Sequence, residues 1–176
     1  MSFVPLQTEN IYAGHAFSVE RILMQLPNGK TRFYDLVRHA GAITIVPLDA
    51  DGNILFVRQY RLGAAAELLE LPAGVLNEGE DPAEAAAREI REETGMAAAK
   101  LIHLGNFYLA PGYSSEFMHV YLATGLSSSP LEQNDDEFLQ VVSLPAAEAL
   151  QRAHNGQIPD GKTLAALFLA EPYLSS

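Results

Sequence analysis

Three glutamates, Glu89, Glu92 and Glu93, fall within five consecutive residues. Positions three and four apart share one side of an α-helix, so a helical segment here crowds the three carboxylates together. Like charges this close repel, and the helix is destabilised unless something positive sits among them. Arg88, four residues before Glu92, offsets part of that repulsion. A hard divalent cation offsets more, since Mg²⁺ takes oxygen ligands and keeps some of its waters. A divalent ion held there neutralises negative charge and makes a bound water more acidic. A lone Glu-Glu pair ordinarily means only a solvated acidic face, so the surrounding residues decide.

The elements that would position these carboxylates are readable around them. Asp81 is a good N-cap, Pro82 suits the first helical position, and Glu84 at N3 completes a capping-box pattern. The run Ala83 to Thr94 is rich in helix formers, and Gly95 stands where a left-handed terminator belongs. Ala83, Ala86, Ala87 and Ile90 form an apolar stripe expected to pack on a sheet. Upstream, 15–27 and 31–38 read as strands around the turn Pro27-Asn28-Gly29-Lys30. Ala40 to Pro47 and Ile54 to Tyr60 read as a second hairpin, and Glu67 to Leu71 as a short strand ended by Pro72-Ala73-Gly74. Further strands are expected at 99–108, 116–123 and 138–143, and helices near 145–154 and 161–170. Strands interleaved with helices indicate an α/β layered domain, and the hairpins make its sheet mixed.

Composition narrows the function. The 176 residues are 48% apolar, enough for one domain with a real core. No run approaches the roughly 18 apolar residues of a membrane span, and Met1-Ser2-Phe3-Val4-Pro5 does not read as a signal peptide. The expectation is a cytoplasmic protein with no membrane partner. Absence of cysteine excludes disulfides, thiolate metal sites and a cysteine nucleophile. A formal charge of −11 disfavours nucleic-acid binding. It also repels a small anionic substrate unless cations intervene, which bound metal would do.

The glutamates sit in a longer pattern: Gly74, five residues, Glu80, seven residues, then Arg88-Glu89-Ile90-Arg91-Glu92-Glu93-Thr94-Gly95-Met96. This stretch of 74–96 resembles the Nudix signature at every defining position. The resemblance implies a strand-loop-helix motif within a Nudix-type α/β/α sandwich with a mixed sheet. It implies Glu89 and Glu93 as the main metal-ligating carboxylates, Glu92 assisting or holding a further ion, and the backbone carbonyl of Ala73 as a non-carboxylate ligand. Arg88 then orients the glutamates, and Glu80 is structural. The cofactor implied is Mg²⁺, with Mn²⁺ hard enough to serve as well.

Similarity extends over roughly 35–170 and most resembles the ADP-ribose pyrophosphatase branch of the Nudix hydrolases. It is carried by Arg58-Gln59-Tyr60-Arg61, Glu70-Leu71-Pro72-Ala73-Gly74, Ala110-Pro111-Gly112-Tyr113-Ser114-Ser115-Glu116 and Asp160-Gly161-Lys162-Thr163. Arg58 and Arg61 are candidates for phosphate or ribose, their guanidinium forks matching phosphate oxygens, or are ordinary strand-end charges. Glu70 is a candidate for substrate or metal contact, or a surface residue. Pro111 and Gly112 are either part of the substrate site or a tight turn. Tyr108 and Tyr113 are either adenine platforms or core and rim residues, the commoner place of aromatics near strand ends. In the resembled branch a loop at Glu132-Gln133-Asn134-Asp135-Asp136-Glu137 offers the carboxylate that activates water, which makes Asp135 and Glu137 candidates, with Glu132 also possible. The resemblance also implies a homodimer built through a short N-terminal antiparallel strand extension, residues 1–38, ahead of a catalytic domain at 39–176. The leading expectation is hydrolysis of ADP-ribose to AMP and ribose 5-phosphate. GDP-mannose, another nucleotide sugar or a dinucleotide is the alternative, and a non-catalytic ADP-ribose sensor a further one.

Overall fold

A computed structural model describes residues 2–132 and 138–174. It divides into two compact units, Met1–Gly41 with Tyr108–Phe117, and Ala42–Phe107 with Met118–Ser176. In the first, β1 (Val4–Ala13), β2 (Ser18–Gln25) and β3 (Thr31–Arg38) form an antiparallel sheet in that order. The β2–β3 turn is the expected one, with Gly29 at φ 79° and Leu26 N–H donating to the Lys30 carbonyl at 2.7 Å. The first strand was not anticipated, because its residues show no clean alternation of apolar and polar types. Residues 108–117 join this unit through β3: Val37 N–H donates to Tyr113 O at 2.8 Å and Ser115 N–H to Val37 O at 2.9 Å. The sequence assigned that segment to the catalytic domain.

The larger unit is built from β4 (Ala42–Pro47), β5 (Asn53–Arg61), β6 (Ala66–Glu70), β7 (Ala73–Val75), α1 (Pro82–Thr94), β8 (Met96–Tyr108), β9 (Phe117–Ser128), β10 (Gln140–Pro145), α2 (Ala146–His154) and α3 (Gly161–Leu174). One sheet runs β7-β4-β9-β8 and another β10-β5-β6. The mixed character is direct: β4 pairs parallel with β9 and antiparallel with β7. Every residue of β4 is buried, as a strand covered on both faces requires. Ile43 and Ile45 pack with Ala85, Ala86 and Ile90 of α1 and with Tyr121 and Ala123 of β9. On the other face Val46, Val120 and Leu122 share a core with Ala149 of α2 and Ala166, Leu167 and Ala170 of α3. Alternate side chains of the same strands thus face different helix layers, which is an α/β/α sandwich.

Two local expectations are corrected. β4 and β5 do not form a hairpin; they lie in different sheets, and the bridge from Leu48 to Ile54 falls just past the end of β4. The loop at 49–53 has a hairpin's composition, but both edges of β4 are already taken by β7 and β9. The helix begins and ends as expected. Asp81 accepts Ala83 N–H at 2.8 Å and Gly95 is left-handed at φ 72°. Its buried face, however, consists of Ala85, Ala86, Glu89, Ile90 and Glu93, while Ala87 is exposed. Two of the three glutamates therefore point inward with the apolar stripe.

Candidate active site

Glu89 and Glu93 are only 8% and 4% exposed. A buried carboxylate is costly unless it is hydrogen-bonded and electrically compensated. Glu93 Oε2 accepts the backbone N–H of Ala73 at 3.0 Å, which ties the helix to the start of β7. Glu89 lies directly over Gly74: a Cβ built there would stand 1.9 Å from Glu89 Oε1. Only glycine leaves room for that carboxylate, so this position is set by close approach and not by backbone angle. Arg88 gathers the rest. Its Nη1 donates to Glu89 Oε1 at 2.6 Å and Glu92 Oε2 at 2.9 Å, while Nε and Nη2 meet the two oxygens of Glu80 at 2.9 and 3.0 Å. Hydrogen bonds donated to Glu80 in the first place, then to Glu89 and Glu92, raise the Arg88 pKa against the opposing effect of burial. Glu80, also bonded by Asn77 N–H at 2.9 Å, is held below its ordinary range chiefly by Arg88.

A second charged group lies on the neighbouring strands. The β5–β6 register pairs Val57 with Glu70, Gln59 with Leu68 and Arg61 with Ala66, so Gln59, Arg61 and Glu70 share one face. Glu70 is 1% exposed and takes a forked bond from Arg61, Nε at 2.9 and 3.1 Å and Nη2 at 2.7 Å. Lys162 Nζ bonds the same Glu70 Oε2 and lies 3.0 Å from Asp160 Oδ1. Burial alone would raise the Glu70 pKa, but the Arg61 bonds and the Lys162 charge outweigh it and hold the carboxyl low. Arg61 is within electrostatic reach of Glu93, which helps raise its own pKa after the dominant Glu70 bond. Around this group the segment 70–73 is fixed atom by atom. Leu71 N–H donates to Thr163 Oγ1 at 2.9 Å, Pro72 O accepts Ile45 N–H at 2.9 Å and Thr44 Oγ1 at 3.2 Å, and Ala73 N–H meets Glu93. Sequence reasoning did not assign roles to Thr44, Asp160, Lys162 or Thr163. Asp160, Lys162 and Thr163 carried a signal only as members of the Asp160-Gly161-Lys162-Thr163 segment of the resemblance.

Arg58 is exposed and, three residues from Arg61 on one strand, points to the opposite face, so the two arginines do not converge. Pro111 and Gly112 belong to the first unit, in a turn where Tyr113 and Ser114 N–H both donate to Ala110 O at 3.1 and 2.9 Å. Tyr108 and Tyr113 are exposed in that unit, and Tyr108 packs on Phe117 with ring centroids 4.8 Å apart. Asp135 and Glu137 fall outside the described residues, and Glu132 is exposed.

The donor set suits a hard cation in kind, since Arg88 alone meets three carboxylates, a group of net charge −2. Among the described residues, no three acidic or imidazole groups already converge on one point at ligand distance. Glu89 instead leans on Arg88, and Glu93 on Ala73 N–H. Two near-buried acids with oxygen donors, one of them seated closely over Gly74, fit the group that the sequence pattern implies.

The model of the NUDIX domain matches residues 38–167 of this chain. The chain belongs to the Nudix family. Similar proteins include the methanol dehydrogenase activator of Bacillus methanolicus, 36% identical over 92% of this chain and 89% of that one. The ADP-ribose pyrophosphatase of Bacillus subtilis is 35% identical over 90% of this chain and 87% of its own length. A crystal structure of an ADP compounds hydrolase superposes with a TM-score of 0.87 at 28% identity, covering 99% of this chain and 95% of that one.

Proposed function

We propose that this Nudix hydrolase cleaves the pyrophosphate of a nucleoside diphosphate derivative, taking ADP-ribose and water to AMP and ribose 5-phosphate. The observation that carries the reading is the burial of Glu89 and Glu93 against Gly74 and Ala73, where acids serve no packing purpose. In this reading Mg²⁺, or Mn²⁺, is held by Glu89, Glu93, Glu92 and the Ala73 carbonyl, and supplies charge neutralisation and a more acidic water. The chain itself does the positioning. Ala73 N–H aims Glu93, Arg88 fixes Glu92 and Glu89 relative to Glu80, and Gly74 leaves room for the Glu89 carboxylate. Arg61 offers its outer edge to a phosphate, since its inner edge is pinned by Glu70. Asp135 or Glu137 takes the proton from the attacking water.

ADP-ribose is favoured by the similarity to an ADP-ribose pyrophosphatase and to an ADP compounds hydrolase. The carboxylate site handles the diphosphate and not what is attached, so GDP-mannose or another nucleotide sugar is the alternative. No helix among the described residues is long and apolar enough to cross a membrane. We further propose a homodimer through β1–β3. β1 is exposed along its whole length, with Val4, Leu6, Ile11 and Tyr12 open to solvent, and apolar patches of that kind mark interfaces. Sedimentation should then give twice the mass of the 19.1 kDa chain. The reaction is tested on a panel of ADP-ribose, GDP-mannose, NADH, diadenosine polyphosphates and dNTPs. Metal-dependent AMP release, fastest from ADP-ribose, is expected; preference for GDP-mannose would overturn the substrate and keep the chemistry.

A further inference from the structure

We propose that Lys162 is a positioning residue for substrate binding, acting through Glu70 on the outward edge of Arg61. The proposal rests on the pyrophosphatase reading above. Arg61 bonds Glu70 through Nε and Nη2, and among the described residues no acceptor meets Nη1. Its side chain is 41% exposed while that of Glu70 is 1%, so one edge is pinned inside and the other faces outward, within electrostatic reach of Glu93. An arginine that binds a phosphate must keep its plane fixed and its charge available. Glu70 alone fixes the plane but cancels the charge.

Lys162 resolves that conflict. Its ammonium meets Glu70 Oε2, the same oxygen that takes Arg61 Nη2, and so shares the carboxylate's charge. The group of Glu70, Asp160, Arg61 and Lys162 is neutral with Lys162 and carries −1 without it. That difference lies beside the place where a doubly negative diphosphate has to bind, and its Coulombic effect is strengthened by the burial of Glu70.

Lys162 is also held so that it has little freedom to do anything else. Asp160 Oδ1 is 3.0 Å from its ammonium, while Asp160 Oδ2 caps α3 by accepting Thr163 N–H at 3.0 Å and the Thr163 hydroxyl at 2.6 Å. The Thr163 oxygen accepts Leu71 N–H, from the residue next to Glu70. The first turn of α3 is thereby attached to the 70–73 segment by both a side chain and a main-chain bond, and the Lys162–Glu70 geometry is set from both ends.

The test compares Lys162→Met and Lys162→Arg with wild type, by steady-state kinetics and by titration calorimetry of ADP-ribose in EDTA. Lys162→Met should raise KM about tenfold with kcat within about threefold, because binding before the chemical step is what weakens. ADP-ribose binding without metal should weaken by a similar factor, and Lys162→Arg should restore both. A Lys162→Met protein that melts lower but keeps its KM and its affinity would show a merely structural residue and overturn the proposal. So would an arginine variant as impaired as the methionine. Should Lys162→Met not fold, Lys162→Gln, which keeps a donor and loses the charge, carries the same expectation. If wild type leaves ADP-ribose untouched, the substrate assignment fails and the series is read on whichever panel diphosphate it does cleave. No cleavage of any would overturn both readings.

Discussion

Two charged groups flank the turn at 71–74, and they are built on opposite principles. Around Arg88, one guanidinium serves Glu80, Glu89 and Glu92, with Glu93 buried nearby. Around Glu70, two carboxylates meet two cations and the charges cancel. The first group carries surplus negative charge where packing alone would have chosen apolar residues, and that surplus is where a cation belongs. The second is complete in itself, so its value lies in geometry: it holds Arg61 and the backbone leading to Ala73. Chemistry is expected to depend on the unbalanced group and affinity on the balanced one.

The largest effect should come from the unbalanced side. Glu93→Gln keeps shape and loses charge, and should lower kcat by at least about a hundredfold with an unchanged circular dichroism spectrum. A near-normal rate would remove Glu93 from the reaction. Gly74→Ala should follow, since its methyl would occupy the space of the Glu89 carboxylate. A rate loss of about tenfold or more and a stability loss of about 1–3 kcal/mol are expected, measured by turnover and thermal melts. An alanine variant with full activity would mean that Glu89 relaxes freely and that its seat against Gly74 is unimportant.

Variants on the balanced side should behave differently. Thr163→Val removes the acceptor of the buried Leu71 N–H, costing about 1–2 kcal/mol of stability by denaturant titration, with kcat changed far less than in Glu93→Gln. The smallest effect is in acid. Glu70 has a folded pKa below its ordinary 4.5, so the stability it confers is present above that value and is lost as pH falls through the lower folded one. Glu70→Gln should therefore flatten the decline in stability below about pH 4.5 relative to wild type. An identical acid limb in both proteins would show that Glu70 is not held ionised by Arg61 and Lys162.

How much of this was readable beforehand follows from how local each feature is. α1 was legible to the residue because Asp81, Pro82 and Gly95 act within one turn of where they stand. Its inward face was read one position off: Ala87 was placed in the stripe, and Glu89 and Glu93 on the acidic side. Helical spacing alone does not say which arc meets the sheet. Likewise the 49–53 turn had hairpin composition, but pairing partners of β4 came from β7 and β9, remote in sequence. Arg58 and Arg61 looked alike until the strand register sent them to opposite faces. The Lys162–Glu70 bond joins residues 92 apart, and no spacing rule reaches across that distance.

The most direct test of the central claim is ADP-ribose hydrolysis by wild type and Glu93→Gln, each assayed with Mg²⁺ and with EDTA. AMP and ribose 5-phosphate should appear only from wild type with Mg²⁺, with both EDTA samples near background. Equal turnover in EDTA, or a Glu93→Gln protein as fast as wild type, would contradict a metal-dependent reaction at the buried glutamates.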